Sequence, residues 1–154
     1  MLQVLGNKLI ENNLSICSSE SLTGGLFGAK LVEVSGISQV YKGSIVAYQN
    51  EIKTSLLNVK EETINKHGAV SLECAYEMVK NVQNIFKSDI AVSFTGNAGP
   101  NPSEGKKVGL VFVGIYFLGE IEILELSLKG TREEIRNECL KAVSNKLLRK
   151  IENI

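Results

Sequence analysis

Two glycine-rich segments hold the residue types that could carry out chemistry. The first is SESLTGG at positions 19–25, between a predicted strand and a predicted helix, and the second is TGNAGP at positions 95–100, directly after another predicted strand. In open α/β sheets, ligands bind beyond the carboxyl ends of the strands. Two such segments on neighbouring parallel strands would face one crevice, so we expect the functional site there.

Ser21 is the candidate nucleophile of the first segment. One interpretation is structural: a serine at a strand-to-helix junction often caps the first helical N–H groups. The functional interpretation is that Ser21 attacks a carbonyl carbon while N–H groups of Thr23, Gly24 or Gly25 stabilise the oxyanion. Paired glycines let a ligand approach the backbone, and a helix N-terminus favours negative charge. The segment matches neither a Walker A loop nor GxGxxG, so it supports neither an ATPase nor a Rossmann dinucleotide site.

A serine nucleophile needs a base, and histidine is a poor candidate here. The chain has one histidine, His67, beside Gly68 at a predicted helix end, where it is better placed to cap the helix. Lysine or tyrosine remains, as in Ser–Lys activation. With Asn50 as N-cap, Lys53 lies in the first helical turn, where the helix dipole would lower its pKa. The alternatives are a solvated surface lysine and, for Tyr48, an ordinary half-buried aromatic.

Composition excludes several classes of protein. The 154 residues fit one domain, 1–154, and 17 basic residues balance 17 acidic ones, which argues against a nucleic-acid binder. No apolar run approaches the ~20 residues of a membrane span, and the polar N-terminus is not a secretory signal, so we expect a cytoplasmic protein. Three widely spaced cysteines without a CxxC pair predict reduced thiols, and no metal or cofactor is expected.

Hydrophobic periodicity predicts the element order α-β-α-β-α-α-α-β-β-β-α. The predicted helices cover 2–12, 23–35, 51–57, 60–66, 72–86 and a long segment after a Thr131–Glu134 capping box; the predicted strands cover 15–20, 41–48, 90–94, 108–117 and 121–128. The alternation slips by one residue near Ile123-Leu124, which predicts a β-bulge. The fold class is therefore α/β: a three-layer α/β/α arrangement whose mixed sheet ends in an antiparallel hairpin.

Six segments together resemble one known family. SESLTGG at 19–25 resembles the AES-x-TGG signature of the CinA C-terminal domain family, the nicotinamide-nucleotide amidases. The similarity continues in order through 43–53 (with Y-x-N-x-x-K at its end), 67–71, 95–100, 107–109 and 130–132. Six motifs in register over nearly the whole chain are far more specific than any one alone. Two positions depart from the family pattern: Ser19 replaces the usual alanine, and Thr131 replaces a common aspartate, which bears on how Arg132 is held.

The resemblance implies hydrolysis of nicotinamide mononucleotide to nicotinic acid mononucleotide and ammonia, within NAD recycling. It implies that Ser21 is the nucleophile and that Lys53, aided by Tyr48, takes its proton. The substrate contacts that we expect are Glu20, Thr23, Gly24, Gly25, Asn50, Thr95, Gly96, Gly99, Lys107 and Arg132. For the phosphate, the Gly24-Gly25 turn, Lys106 and Arg132 all remain candidates.

Two other functions remain open. The protein could be a nucleotide-binding regulatory module without turnover, which release of ammonia would distinguish from an amidase. It could also be a structural partner of DNA-uptake or repair machinery, although zero net charge weighs against direct DNA contact. The expected partners are a small-molecule nucleotide and further copies of the chain, as a dimer or a larger homo-oligomer, with neither nucleic acid nor membrane.

Overall fold

A computed structural model describes residues 2–154. The helices are α1 (Leu2–Glu11), α2 (Leu26–Leu31), α3 (Asn50–Leu57), α4 (Glu61–His67), α5 (Leu72–Phe86) and α6 (Arg132–Glu152), with a 3₁₀ turn at Ile37–Gln39. The strands are β1 (Ile16–Glu20), β2 (Tyr41–Val46), β3 (Ile90–Gly96), β4 (Leu110–Phe117) and β5 (Glu120–Ser127). The predicted order of helices and strands is confirmed.

The five strands form one mixed sheet in the order β2-β1-β3-β4-β5. Strands β2, β1 and β3 are parallel to one another, whereas β4 is antiparallel to both β3 and β5. The prediction of a mixed sheet that ends in an antiparallel hairpin is therefore confirmed. Because β1 and β3 are adjacent and parallel, the glycine-rich segments that follow them emerge at the same edge of the sheet.

Helices cover both faces of the sheet, as the fold class predicts. On one face, Leu9 of α1, Phe27 of α2 and Cys139 of α6 belong to one buried apolar cluster. On the other face, Leu57 of α3 and Met78 of α5 belong to a second cluster. Burying apolar surface on both faces of a sheet is the main source of stability in such three-layer folds.

The two longest helices begin where the sequence predicts. Ser71 Oγ accepts a hydrogen bond from Cys74 N at 3.1 Å at the start of α5. At the start of α6, Thr131 Oγ1 accepts from Glu134 N at 3.2 Å, and Thr131 N donates back to the Glu134 carboxylate at 2.9 Å. This reciprocal pair is the capping box.

Helix α2 is shorter than its prediction, which corrects the capping role considered for Ser21. The helix covers six residues instead of 23–35, and Gly25 is its N-cap. Gly24 and Gly25 have φ values of 57° and 99°, a conformation that other residues rarely adopt. The chain therefore turns at 21–25 before the helix begins, and Ser21 lies in this turn; we call residues 21–25 the Ser21 turn.

The predicted bulge near Ile123-Leu124 is wrong. All eight residues of β5 pair with β4 in continuous register. The hydrophobic alternation slips because different helices cover the two faces of this edge strand. Ile121 and Ile123 pack with the clusters on the α5 side, whereas Leu124 and Leu126 pack against the cluster that contains α6. The slip in the pattern therefore marks the point where the apolar side chains change from one face of the strand to the other. A regular strand without a bulge also permits this change.

Two further findings concern membrane-spanning helices and cysteines. None of the helices between residues 2 and 154 is both long and apolar enough to cross a membrane. Cys17, Cys74 and Cys139 are buried and free, and burial raises the thiol pKa of Cys17 to about 11 and those of Cys74 and Cys139 to about 12.

Candidate active site

A crevice of about 450 Å³ opens beyond the carboxyl ends of β1 and β3, and we call it the Ser21 cavity. Its volume lies in the range of roughly 300–1,000 Å³ that is usual for small-molecule sites. Its wall is formed by Ser21, Leu22, Tyr48, Asn50, Lys53, Ala69, Val70, most of the loop from Thr95 to Glu104, and Arg132. Both glycine-rich segments contribute to this wall, as their position after adjacent parallel strands requires.

Ser21 is held by its backbone at the end of β1. Its N–H donates to Phe94 O of β3 at 3.0 Å, and its carbonyl oxygen accepts from Gly24 N at 3.0 Å. Only 7% of the residue is exposed, and it lines the Ser21 cavity. The strand end and the tight turn together fix where the Ser21 hydroxyl can reach.

Lys53 lies deep in the same wall. It is 2% exposed, so the solvated surface lysine considered above is wrong for this chain. Its Nζ donates to Tyr48 O at 2.7 Å, and no carboxylate within residues 2–154 forms a salt bridge with it. Burial lowers the pKa of Lys53, and the negative charge of Glu104 offsets this only in part. Lys53 is the fourth residue of α3, and desolvation, rather than the helix dipole, is the main cause of the lowered pKa.

Tyr48 and Arg132 form the outer rim of the cavity. Arg132 Nη2 donates to the Tyr48 hydroxyl at 3.0 Å, and Arg132 Nη1 donates to Gly99 O at 2.5 Å. Tyr48 is 58% exposed, so it is not the half-buried aromatic considered above. In this arrangement Tyr48 contacts Lys53 through its backbone carbonyl, while its hydroxyl is bound to Arg132.

Glu104 is a wall residue that the sequence does not single out. Its carboxylate accepts hydrogen bonds from Ala69 N at 2.9 Å and Val70 N at 3.0 Å. Burial raises the pKa of Glu104, but these two N–H donors and Lys106 outweigh burial and lower it. Lys106 Nζ also donates to the carbonyl oxygens of His67 and Val70. The loop after β3 is thereby fastened to the segment before α5, and Lys106 is already occupied in fastening it.

Glu20 does not lie where a substrate contact would have to lie. It is fully buried and is absent from the cavity wall. Its carboxylate accepts from Phe27 N at 3.0 Å, from Gly28 N at 3.1 Å and from Ser18 Oγ at 2.9 Å. The carboxylate thus occupies the N-terminal donors of α2, where the sequence suggested that a ligand anion would bind.

The other expected contacts divide into two groups. The structure brings Asn50, Thr95, Gly96, Gly99 and Arg132 to the cavity wall together with the three proposed catalytic residues. It places Thr23, Gly24, Gly25 and Lys107 outside the wall: Thr23 is fully buried, and Gly24 and Lys107 are exposed. Periodicity and motifs located the strand ends correctly, but they could not show which way each side chain faces.

The arrangement suits a small ligand with a reactive carbonyl and an anionic group. A serine and a desolvated lysine share one wall, and the guanidinium of Arg132 lies at the rim. Among residues 2–154, no group of three or more His, Cys, Asp or Glu side chains could hold a metal ion. The side chains in the wall are those that acyl transfer at a serine requires.

Comparison with known proteins agrees with the fold and motifs. The chain is 44% identical over 152 residues to a competence-damage inducible protein from Halalkalibacterium halodurans and 44% identical over 147 residues to one from Bacillus cereus. These matches cover 98% and 95% of this chain, which spans about a third (36%) of the length of either relative.

Solved structures extend the similarity to three dimensions. A CinA superfamily protein from Klebsiella pneumoniae aligns with a TM-score of 0.94 at 28% identity, over 100% of this chain and 99% of the other. A competence/damage inducible protein from Agrobacterium tumefaciens aligns with a TM-score of 0.89 at 31% identity, over 96% and 94% of the two chains. The family model of the CinA C-terminal domain matches residues 1–151. The chain therefore belongs to the CinA C-terminal domain family.

Proposed function

We propose that this domain hydrolyses the carboxamide of nicotinamide mononucleotide to nicotinic acid mononucleotide and ammonia. The observation that carries the proposal is that Ser21 and a desolvated Lys53 line the same cavity. The family resemblance of the segments at 19–25 and 43–53 implies the same reaction. Ligand-sized volume and a cationic rim support a nucleotide as substrate.

In the proposed first step, neutral Lys53 takes the proton of Ser21, and Ser21 Oγ attacks the carboxamide carbon. The Lys53 ammonium then gives this proton to the amide nitrogen, and the C–N bond breaks to release ammonia. In the second step, Lys53 takes a proton from water as the water oxygen attacks the acyl ester. The Lys53 ammonium then returns this proton to Ser21 Oγ as the ester C–O bond breaks and the acid is released. Atoms balance: one water is consumed, and one ammonia and one carboxylic acid are formed.

Lys53 suits the role of base because burial favours its neutral form. A neutral amine has two N–H donors and one lone pair. One N–H is directed to Tyr48 O at 2.7 Å, which holds the amine while its lone pair stays available. Tyr48 therefore assists through its carbonyl in this arrangement, and its hydroxyl helps to place Arg132.

The oxyanion would need N–H donors beside Ser21. Gly24 N donates to Ser21 O, so this N–H is already occupied. The N–H groups of Thr23 and Gly25 remain the candidates from the sequence. Leu22, which directly follows Ser21 and lines the cavity, adds a further candidate. Backbone donors aimed at the developing negative charge would stabilise the tetrahedral intermediate.

Arg132 is the best of the three candidates for the phosphate. Lys106 is occupied by carbonyl and carboxylate oxygens, and the Gly24-Gly25 turn lies outside the cavity wall. Arg132 lies in the wall and uses two of its five N–H donors on Gly99 O and Tyr48 Oη. Its remaining donors can form charge-assisted hydrogen bonds with a phosphate.

The experiment is an assay of the purified protein with nicotinamide mononucleotide, in which ammonia and nicotinic acid mononucleotide are both measured. The proposal requires the two products in equal amounts. Binding of the mononucleotide without release of ammonia would instead favour a regulatory module. Neither binding nor turnover would favour an interaction module, a role in keeping with the names of the competence-damage relatives.

A further inference from the structure

Arg136 connects α6 to the Ser21 turn without lining the cavity. The side chain is half-buried and absent from the wall of the Ser21 cavity. Its Nε donates to Leu22 O at 2.9 Å, and its Nη2 donates to Thr23 O at 2.8 Å. One guanidinium therefore holds two consecutive carbonyls that directly follow the candidate nucleophile.

These two hydrogen bonds act on Ser21 through the peptide planes. A trans peptide points its N–H opposite to its C=O. Holding Thr23 O with Arg136 therefore also fixes the direction of Gly24 N, which donates to Ser21 O at 3.0 Å. Holding Leu22 O in the same way fixes the direction of Thr23 N, which is a candidate donor to the oxyanion.

The shape of the arginine side chain suits this pair of contacts. Its planar guanidinium presents N–H donors in a fixed fork, whereas a lysine ammonium is a single point on a flexible stem. Arg132 and Arg136 are four residues apart and lie on one side of α6. The same helix therefore contacts the rim of the cavity through Arg132 and the Ser21 turn through Arg136.

We infer that Arg136 is a positioning residue, which sets the orientation of Ser21 and of the neighbouring N–H donors through the carbonyls of Leu22 and Thr23. This role rests on the proposed amidase function. Leu22 is the one wall residue, among residues 2–154, to which the Arg136 side chain hydrogen-bonds, and Arg136 itself does not line the cavity that would bind the mononucleotide. Its loss should therefore change the chemical step more than binding.

The test compares Arg136→Lys and Arg136→Ala with Arg149→Ala, a control on the exposed side of α6. In both Arg136 variants, kcat for nicotinamide mononucleotide should fall about tenfold or more, while KM changes less than about twofold. Added guanidinium ion should restore part of kcat in Arg136→Ala, and the control should retain its activity. An unchanged kcat in both variants, or a change confined to KM, would overturn the inference.

Hydrogen exchange separates this inference from the proposed function. Backbone amides of residues 21–26 should exchange faster in both Arg136 variants than in the unmutated protein, with the β3 and β4 amides unchanged. If the unmutated protein releases no ammonia, the proposed function fails, and exchange still decides whether Arg136 holds the turn. Unchanged exchange at 21–26 would contradict the positioning role, whatever the activity.

Discussion

Lys53 is 2% exposed, yet its side-chain nitrogen donates a hydrogen bond to a backbone carbonyl, that of Tyr48, and not to a carboxylate. Burial penalises the charged ammonium, and a carbonyl dipole compensates for less of this cost than an ion pair would. The residue is therefore poised to be neutral at a lower pH than an ordinary lysine. Such a group can take a proton from a serine hydroxyl, which a protonated lysine cannot do.

We expect kcat to rise with pH as Lys53 loses its proton, with an inflection below the ordinary lysine value of 10.5. The stability should change in the same direction. Between the lowered folded pKa and 10.5, the unfolded chain binds more protons, so the free energy of unfolding increases with pH across that window. Denaturant titrations and rates measured over a pH series check both trends.

Lys53→Met is the matched variant for this prediction. It keeps the length of the side chain and removes the titrating amine. We expect no ammonia release from it and a flatter dependence of stability on pH. A variant that keeps the full pH-dependent rise in turnover would show that another group is the base.

Arg132 gives a prediction about substrate choice. In Arg132→Gln, KM for nicotinamide mononucleotide should rise about tenfold or more, because a charge-assisted hydrogen bond to phosphate is lost. KM for nicotinamide riboside, which lacks the phosphate, should change little. Arg149→Gln, on the exposed side of α6, is the control. Equal effects of Arg132→Gln on both substrates would assign Arg132 to the shape of the rim, through its contacts with Tyr48 and Gly99.

The residue types of the site could be predicted from the sequence, but their surroundings could not. The family resemblance implies Ser21, Tyr48 and Lys53, and the structure brings all three to one wall. The burial of Lys53 depends on how α3 packs against the rest of the fold, and Glu104, whose charge acts on Lys53, lies 51 positions further along the chain. Packing between distant segments leaves no local pattern, so the residues around Lys53 in the sequence do not distinguish a buried lysine from a solvated surface lysine.

At the level of elements, the connection between β1 and α2 is built around Glu20. Its buried carboxylate accepts from two backbone N–H groups of α2 and from Ser18 Oγ. Both oxygens of the carboxylate accept hydrogen bonds. In a glutamine, one of the two positions would be an NH2 group, which cannot accept from these N–H and O–H donors. The short helix and the Ser21 turn before it therefore depend on an acidic side chain at this position.

Glu20→Gln should lower the free energy of unfolding by about 1–3 kcal/mol, because buried donors at the start of α2 lose their acceptor. Glu33→Gln is the control, since it removes an exposed pair with Lys30 and should cost less than about 1 kcal/mol. Chemical denaturation of both variants and the unmutated protein measures the difference. Equal stability of Glu20→Gln and the unmutated protein would show that this carboxylate is not needed to anchor α2.

The elements that were predicted most accurately carry their own local signals. The stripe of apolar residues after Ser71 marks α5, and the capping box at Thr131–Glu134 marks the start of α6 to the residue. The predicted start of α2 and the predicted bulge in β5 are wrong for a different reason. The start of α2 depends on positive φ angles at glycines, and the pattern of β5 depends on which helix covers each of its faces. Neither is contained in hydrophobic periodicity.

At the level of the whole molecule, the topology brings five separate parts of the chain to one cavity. The Ser21 turn and the loop after β3 follow adjacent parallel strands. The start of α3, the segment before α5 and the first turn of α6 complete the wall. The alternation of helices and strands predicts this sheet edge as the site. The family resemblance predicts that Arg132 at the start of α6 reaches the site, but the sequence does not predict that Arg136 of the same helix holds the Ser21 turn.

The central claim is that Ser21 is the nucleophile of an amidase, and Ser19→Ala provides a closely matched control for Ser21→Ala. Both are nearly buried serines at the end of β1, but only Ser21 lines the cavity. Each substitution removes one hydroxyl, which a domain stable by about 5–15 kcal/mol can tolerate. The measurement is ammonia release from nicotinamide mononucleotide by the unmutated protein and the two variants, with the affinity for the mononucleotide determined in parallel.

The account predicts turnover by the unmutated protein and by Ser19→Ala. It predicts a loss of about a thousandfold or more in Ser21→Ala, with the fold and the affinity for the mononucleotide retained. Substantial ammonia release by a well-folded Ser21→Ala protein would contradict the acyl-enzyme mechanism and would point to direct attack by water held near Lys53.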